Sequence, residues 1–360
     1  MLTLIREKRS PYQKLNLLSQ GAKFESLGIS KLSAKGRKLP VLKLLFTNFC
    51  INRCRYCYNR CQNDIPREIF EPKELADLTV QLYQKGYIKG LFLSSGIFRS
   101  PEDTMERMIE TVKLLRETYQ FKGYIHLKIL PYVARELIVK ATRYANRVSC
   151  NLEFSTQKVL RSWAPDKDKY KLLHTLHLIK SASKETDSKC SISTQVIVGL
   201  KDETDRSILK LSTQLYKSRV VNRVYYSAYV PVNEESNFDV NISHLREYRL
   251  YQADFLIRSY GFSVEELLQE KENLCFDKDP KLVWAEANPE FFPVDLAKDD
   301  YWKLVRVPGI GPKIAQKILK LRKSGLGVSD ISALGLDLAL IKRYVTINGR
   351  TIPQNLCLFQ

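Results

Sequence analysis

LPVLKLLFTNFCINRCRYC, residues 39–57, runs from an almost unbroken apolar stretch straight into three closely spaced cysteines. Residues 40–47 have the near-continuous hydrophobicity of a strand buried on both faces. Similar runs recur at 90–95, 124–130, 148–155, 191–199 and 223–230. Helical patterns lie between them, as in EPKELADLTVQLYQKG (71–86) and PYVARELIVKATRYAN (131–146). Six strand–helix alternations predict an α/β fold with parallel strands and helical crossovers, either partly closed into a barrel or open and doubly wound. The first strand is not followed by the glycine-rich phosphate loop of a dinucleotide-binding domain. A cysteine loop stands there instead, at the C-terminal end of a strand, where parallel α/β folds gather their chemistry.

The composition bounds what such a chain does. Of 360 residues, 44% are hydrophobic and 27% charged, which describes a globular protein rather than a disordered one. No apolar run approaches the roughly 18 residues of a membrane span, and MLTLIREKRSPYQ lacks the apolar core of a secretory signal. The expected location is cytoplasmic, where eight cysteines read as thiols or metal ligands rather than disulfides. Net charge is +19 and is carried at the ends: residues 1–40 hold nine Lys/Arg against two Asp/Glu, and residues 301–350 hold ten against two. Basic ends on a nearly balanced centre point to a polyanionic partner, because each phosphate neutralised releases a counterion.

Cys50, Cys54 and Cys57 are suited to a soft metal centre, zinc or iron–sulfur. A structural zinc wants four ligands. The chain has no second C-x-x-C, and its four histidines (126, 174, 177 and 244) have no spacing that pairs with the loop. A four-iron cluster held by three cysteines leaves one iron open for a small molecule. Cys61 stands outside the three-cysteine pattern. On the fourth strand, two-residue alternation puts Asn151, Glu153 and Ser155 on one face. His126 and Lys128 share a face of the third strand, and Tyr225, Ser227 and Tyr229 share one on the sixth; these five are the candidate substrate-pocket residues. In the basic tail, apolar residues at helical spacing flank PGIG (308–311), with Asp295 expected to cap the first helix and Pro312 to open the second. Gly309, Ile310 and Gly311 form the turn of this hairpin, and Lys313 and Lys317 follow on the second helix. Residues 330–344 hint at a second, weaker hairpin.

The C-x3-C-x2-C spacing, with Tyr56 just before its last cysteine, resembles the radical S-adenosylmethionine (radical SAM) superfamily. The PGIG segment is similar to a helix–hairpin–helix, which grips the DNA backbone without reading bases. Together with GLFLSSGIFRSPEDTMER, STQVIVG, RVYYSAYVPV and FFPVD, they resemble one family, described as DNA modification or repair proteins. That family is often encoded beside a uracil-DNA glycosylase-like protein. The resemblance implies a partial (βα)6 TIM-type barrel with a small all-α helix–hairpin–helix domain. Its implied boundaries are a basic extension over 1–39, a core over 40–270, a connector over 271–294 and the DNA-binding domain over 295–360. It implies a [4Fe–4S] cluster on Cys50, Cys54 and Cys57, whose open iron chelates S-adenosylmethionine. Tyr56, Ser94, Ser95, Gly96, Asn151, Glu153, Ser155, Gln195 and Gly199 then fall at S-adenosylmethionine-contacting positions. Ser-Ser-Gly replaces the family's Gly-Gly-Glu-like segment, and Asn151 with Glu153 is similar to the ribose-contacting pair of biotin synthase. An electron donor would trigger a 5′-deoxyadenosyl radical acting on nucleic acid, DNA before RNA. Two other readings are a tRNA-modifying enzyme of the same chemistry and a non-enzymatic DNA-binding protein with a structural metal.

Overall fold

The computed structural model describes residues 9–20, 29–34, 37–186, 189–232, 239–324 and 334–351. The chain folds as two compact units, Met1–Val198 with Gln214–Val240, and Gly199–Thr213 with Asn241–Gln360.

The first unit opens with helix α1 (Pro11–Gln20), then β1 (Ile29–Ala34) and β2 (Arg37–Leu45), an antiparallel hairpin. From β2 onward the strands are parallel: β3 (Gly90–Ser94), β4 (Tyr124–Lys128), β5 (Arg147–Ser149), β6 (Ser191–Val198) and β7 (Arg223–Ala228). Spatial order follows chain order, β1 to β7, giving a six-strand parallel half-barrel sheet with one antiparallel edge strand. Between the parallel strands run, in chain order, α2 (Pro72–Gln84), α3 (Pro101–Lys113), α4 (Arg135–Tyr144), α5 (Gln157–Trp163), α6 (Lys169–Glu185) and α7 (Asp205–Lys217), the last grouping with the second unit up to Thr213. Ser100, Thr156 and Asp168 cap α3, α5 and α6 with their side-chain oxygens, each accepting a backbone N–H of the first turn.

The two faces of this sheet differ in kind. Leu42, Leu44, Leu91, Leu93, Ile125, Leu127, Val148, Ile192, Val196 and Val224 make one face, all essentially without exposure. The buried leucines, isoleucines and methionines of the amphipathic helices complete that core. The other face is polar. Lys43, Phe92, His126, Arg147 and Ser191 are aligned across five strands, and Lys128, Ser149, Ser193 and Arg223 form the next row toward the C-terminal ends. A closed barrel fills such rows with branched apolar side chains; here they carry charge and hydroxyls.

The segment expected as an N-terminal extension is part of this unit where it is described. Leu15 and Leu18 of α1 are buried, Lys14 Nζ donates to Glu74 at 2.7 Å, and β1 pairs with β2. The expected fourth strand is also shorter than its sequence pattern. β5 stops at Ser149, and Glu153, with φ +61°, makes only an isolated bridge to Val196.

The second unit contains α8 (Val240–Tyr260), α9 (Val264–Leu268), α10 (Pro280–Ala287), α11 (Tyr301–Leu304), α12 (Pro312–Leu321) and a single turn, α13 (Leu338–Ile341). The amphipathic run after residue 240, expected within the core domain, groups here instead. The expected 271–294 connector holds a capped helix, α10, whose Trp284 is buried among Phe262, Phe291 and Phe292. Asp279 caps it, and Pro280 sits at its first position.

The tail is not all-α. β8 (Val294–Asp295), β9 (Val345–Ile347) and β10 (Arg350–Thr351) form a small sheet in the order β10-β9-β8. Asn348 and Gly349, both at positive φ, make the tight turn between β9 and β10. Asp295, expected to cap α11, accepts from the backbone of Asn348 and Gly349 and braces that turn. Asp300 is the cap instead. The residues expected to start a second hairpin, 330–333, lie outside the described residues.

Candidate functional site

The cysteine loop begins where β2 ends and is seated by backbone contacts to the end of β3. Gly96 N donates to Thr47 O at 2.7 Å, and Ile51 N donates to Ile97 O at 2.9 Å. A Cβ on Gly96 would stand 2.2 Å from the Phe49 carbonyl oxygen, so only glycine permits this approach. Arg67 ties the loop from within: its guanidinium donates to the carbonyls of Asn48, Asn59, Arg60 and Asn63 at 2.5–2.8 Å. On the far side, Arg53 pairs with Asp166 (Nη2–Oδ1 2.5 Å), Arg55 N donates to Trp163 O, and the Arg55 guanidinium lies over the Trp163 ring. Neither Arg67 nor Asp166 carries a sequence signal: Asp166 reaches Arg53 across 113 residues, and Arg67 gathers backbone carbonyls from four to nineteen residues before it.

Within this frame Cys54 is buried, Cys50 and Cys57 are half-buried, and Cys61 is exposed. Burial pushes the Cys57 thiol up to about 12 and raises Cys54 as well, so thiolates in this pocket need a strong positive partner. Among the described residues, no three His, Cys, Asp or Glu side chains converge to hold a single metal ion. A four-iron cluster presents a separate iron to each thiolate and does not require that convergence. The donor set of three cysteines fits such a cluster.

Beside the loop lies a buried ionic network. Lys167 Nζ donates to Glu153 Oε1 at 2.7 Å and to Tyr56 Oη at 3.1 Å. Asn151 Nδ2 donates to Glu153 Oε2 at 3.3 Å, and Lys128 Nζ donates to Asn151 Oδ1 at 2.7 Å. Burial by itself would raise the Glu153 carboxyl, but Lys167 and Lys128 outweigh it and hold the group below its ordinary range. The same pairing holds Lys167 charged against its own burial. Lys128, where burial dominates, falls to about 8. Asn151 and Glu153 therefore share a network although they do not share a strand. Lys167, one residue before the cap of α6, was not singled out by its sequence.

Ser94 and Ser95 close β3, and Ser95 Oγ is buried without a hydrogen-bond partner, an orphaned polar atom beside the cysteine loop. Such an atom wants a ligand, which suits a polar cofactor there. Ser155 is half-buried beyond Phe154. Gln195 contributes its backbone carbonyl, accepting from Leu152 N and Glu153 N at 3.1 Å. Gly199 falls in the second unit, at φ +106°, and a Cβ there would meet Ser243 Oγ at 2.1 Å.

Of the candidate pocket residues, His126 and Lys128 lie on the polar face of the sheet. His126 Nε2 is 2.9 Å from Ser149 Oγ, and its ring stacks on Phe92 at 4.1 Å. Burial drives the imidazole well below its ordinary value, so it is neutral. Tyr225 accepts from Arg147 Nη1 at 2.6 Å. Ser227 is buried, and Tyr229, past the end of β7, packs edge-on against Trp163.

In the second unit, Gly311 precedes α12, Pro312 occupies its first turn, and Gly309 takes φ +83°. Ile310 is fully buried and its carbonyl accepts from Lys281 Nζ at 2.6 Å. Lys313 and Lys317 are exposed on α12. A cavity of about 500 Å3, lined by Phe255, Tyr260, Lys281, Gly309, Ile314 and Leu340 among others, lies against the hairpin.

Residues 44–215 match the model of the Radical SAM superfamily. No curated protein matches the chain. Solved structures similar to it include the FeFe-hydrogenase maturase HydG from Carboxydothermus hydrogenoformans, 13% identical over 81% of this chain and 79% of that one, with a TM-score of 0.48. Methylornithine synthase is 16% identical over 58% of this chain, with a TM-score of 0.44; the match covers 61% of that enzyme's length. Coproporphyrinogen III oxidase from Escherichia coli is 15% identical over 66% of this chain and 59% of its own, with a TM-score of 0.41. The match takes in just under half of the chain, and the superfamily it names uses a [4Fe–4S] cluster and S-adenosylmethionine.

Proposed function

We propose that this chain is a radical SAM enzyme, with a [4Fe–4S] cluster and S-adenosylmethionine as its cofactors, that modifies or repairs nucleic acid, DNA in preference to RNA. Cys50, Cys54 and Cys57 hold the cluster, the three ligands of the C-x3-C-x2-C motif. Tyr56, Ser94, Ser95, Asn151, Glu153, Ser155 and Gln195 surround S-adenosylmethionine, with Gly96 seating the loop. When bound, the two cofactors supply a hydrogen-abstracting carbon radical once an external donor delivers an electron. The protein's own share is to bind, orient and shield. Glu153 is held as a carboxylate by Lys167 and Lys128, which suits it to accept hydrogen bonds from ribose hydroxyls.

The observation that carries the nucleic-acid reading is the basic surface around the Pro308–Gly311 turn. Ten Lys/Arg against two Asp/Glu occur over 301–350, with Lys313, Lys317 and Lys320 exposed on α12. We read α11, the turn and α12 as a helix–hairpin–helix that grips phosphates and positions the substrate without specifying sequence. A base or sugar inside a duplex is out of reach of a buried radical, so the target nucleotide is extruded or single-stranded. A uracil-DNA glycosylase-like protein is the proposed partner and the cytoplasm the proposed location. No helix among the described residues is long and apolar enough to cross a membrane.

The test is anaerobic reconstitution with iron, sulfide and a reductant, followed by assay for 5′-deoxyadenosine with and without DNA or tRNA. Nucleosides recovered from the incubated polymer are then analysed by mass spectrometry. New or deuterium-exchanged deoxynucleosides are expected. A preference for tRNA in competition binding at fixed salt, with modified ribonucleosides recovered, would replace DNA with RNA as the substrate.

A further inference from the structure

The second unit turns aromatic side chains out to solvent. Tyr248 and Phe255 of α8 and Trp302 of α11 are 57%, 46% and 58% exposed. Tyr248 and Phe255 are seven residues apart and so share a face of their helix. Phe255 is also a wall of the cavity of about 500 Å3 against the hairpin, a volume within the roughly 300–1,000 Å3 of small-molecule sites. Its ring meets Tyr260 edge-on at 5.5 Å, and the Trp302 ring lies over Gly261, where a Cβ would stand 3.0 Å from it. Polar groups reach the same space. Lys281, 6% exposed, gives one of its three ammonium donors to the Ile310 carbonyl. That ammonium lies 4.7 Å from the Tyr260 ring centre, and among the described residues no hydrogen bond engages the Tyr260 hydroxyl. Asp279, the one carboxylate in the described lining, already accepts from Lys281 N, Leu282 N and Gln252 Nε2. Gly309 and Gly311 line the cavity too, so the turn proposed to hold phosphate is also a wall of the space beside it.

We infer that this cavity receives an unpaired nucleobase of a single-stranded or locally opened nucleic acid, with the neighbouring phosphate on the turn and α12. Bases stack on aromatic rings whatever their sequence, and a positively charged segment beside the rings tracks the backbone. Phe255, exposed at the cavity wall, supplies the ring face, while Tyr260 Oη and Lys281 Nζ supply donors for the polar edge of the base. Charge selects this occupant over an apolar side chain of a protein partner. The segment that makes one wall carries ten Lys/Arg against two Asp/Glu over 301–350, with Lys313 and Lys317 on the helix that follows the turn. The inference rests on the nucleic-acid reading of the hairpin and deepens it, because phosphate contacts alone position a strand whereas a base pocket prefers strands whose bases are free.

The experiment titrates the anaerobically purified, cluster-loaded full chain, at fixed salt, with a short single-stranded deoxyoligonucleotide, a fully abasic strand of the same length and the free 2′-deoxynucleoside of 2-aminopurine, whose fluorescence is quenched by stacking. The intact strand is expected to bind at least about tenfold more tightly than the abasic one. Phe255→Ala should bring that ratio close to unity, Phe255→Trp should keep it, and Tyr260→Phe should lower it mildly. Lys313→Gln should weaken both strands alike and leave the ratio as it is. Phe255 is exposed, so replacing it spares the core of the unit. Equal binding of intact and abasic strands by the wild type, or a ratio indifferent to Phe255→Ala, overturns the pocket and leaves the phosphate grip standing. Quenching of the free nucleoside that Phe255→Ala abolishes, with neither strand bound, upholds the pocket and removes the nucleic-acid reading. Binding of none of the three removes both. Self-association that Phe255→Ala reverses in sedimentation, without any preference for the intact strand, overturns the pocket and gives this face to a second copy of the chain.

Discussion

Lys167 shows how much one side chain holds in place. Among the described residues it is the only cation bonded directly to the Glu153 carboxylate, and the same ammonium reaches Tyr56 in the cysteine loop. Removing one partner of a buried pair leaves the other charge uncompensated. Lys167→Met is therefore expected to cost about 3–5 kcal/mol, and adding Glu153→Gln should return most of it. Urea denaturation of the anaerobically purified proteins measures both; a Lys167→Met protein as stable as wild type would show the carboxylate finds another partner. Cys54→Ala belongs to the same scale. If the three thiols hold the cluster as proposed, loss of one should reduce S-adenosylmethionine cleavage to background and lower iron content, read by iron analysis and by the cluster's visible absorbance.

At the level of elements, the cysteine loop depends on how closely β3 approaches it. Gly96 has no room for a methyl group against the Phe49 carbonyl. Gly96→Ala must displace the loop, and a shift of ångström size is expected to slow S-adenosylmethionine cleavage by about ten- to a hundredfold. Full activity in that variant would mean the loop yields without disturbing its thiols. In the second unit, α10 sends Lys281 under the hairpin to the Ile310 carbonyl. Burial draws its ammonium from 10.5 down to about 7. The unfolded chain thus carries a proton between those values that the folded chain has given up. Stability of the second unit should rise with pH from about 7 to about 10.5 and be lowest below 7. Unfolding followed across that range checks this, and Lys281→Met should flatten the slope.

Across the whole molecule, charge is the property that local structure does not set. Of a net +19, residues 301–350 supply +8 and residues 1–40 supply +7, while the centre is nearly balanced at +4. If the exposed lysines of α12 neutralise phosphates, Lys313→Gln and Lys317→Gln should each reduce the slope of log Kobs against log salt by about one, with little effect on sequence preference. Fluorescence anisotropy at several salt concentrations measures the slope directly.

The sequence by itself determined the α/β alternation, the succession of six strands along the chain, the cysteine motif and the basic composition of the tail. Each is written in a short window, as a period, a spacing or a turn residue. The small sheet of the tail contradicts the all-α expectation, although Asn348-Gly349 between Val345–Ile347 and Arg350–Thr351 is a hairpin signal that could have found it. Where alternation was extended past Ser149 it failed, because the chain leaves the strand and Glu153 turns back with positive φ. Only the tertiary structure decided that Lys128 and Lys167 meet at Asn151 and Glu153. The same holds for Arg67 stapling the loop, Lys281 lying under the hairpin, and Arg147 of β5 donating to Tyr225 of β7. Lys167 with Glu153, Lys281 with Ile310 and Arg147 with Tyr225 join residues 14, 29 and 78 positions apart. A buried charge is tolerated only where packing brings it a partner, so its role is a property of the packed fold and not of its neighbours in sequence.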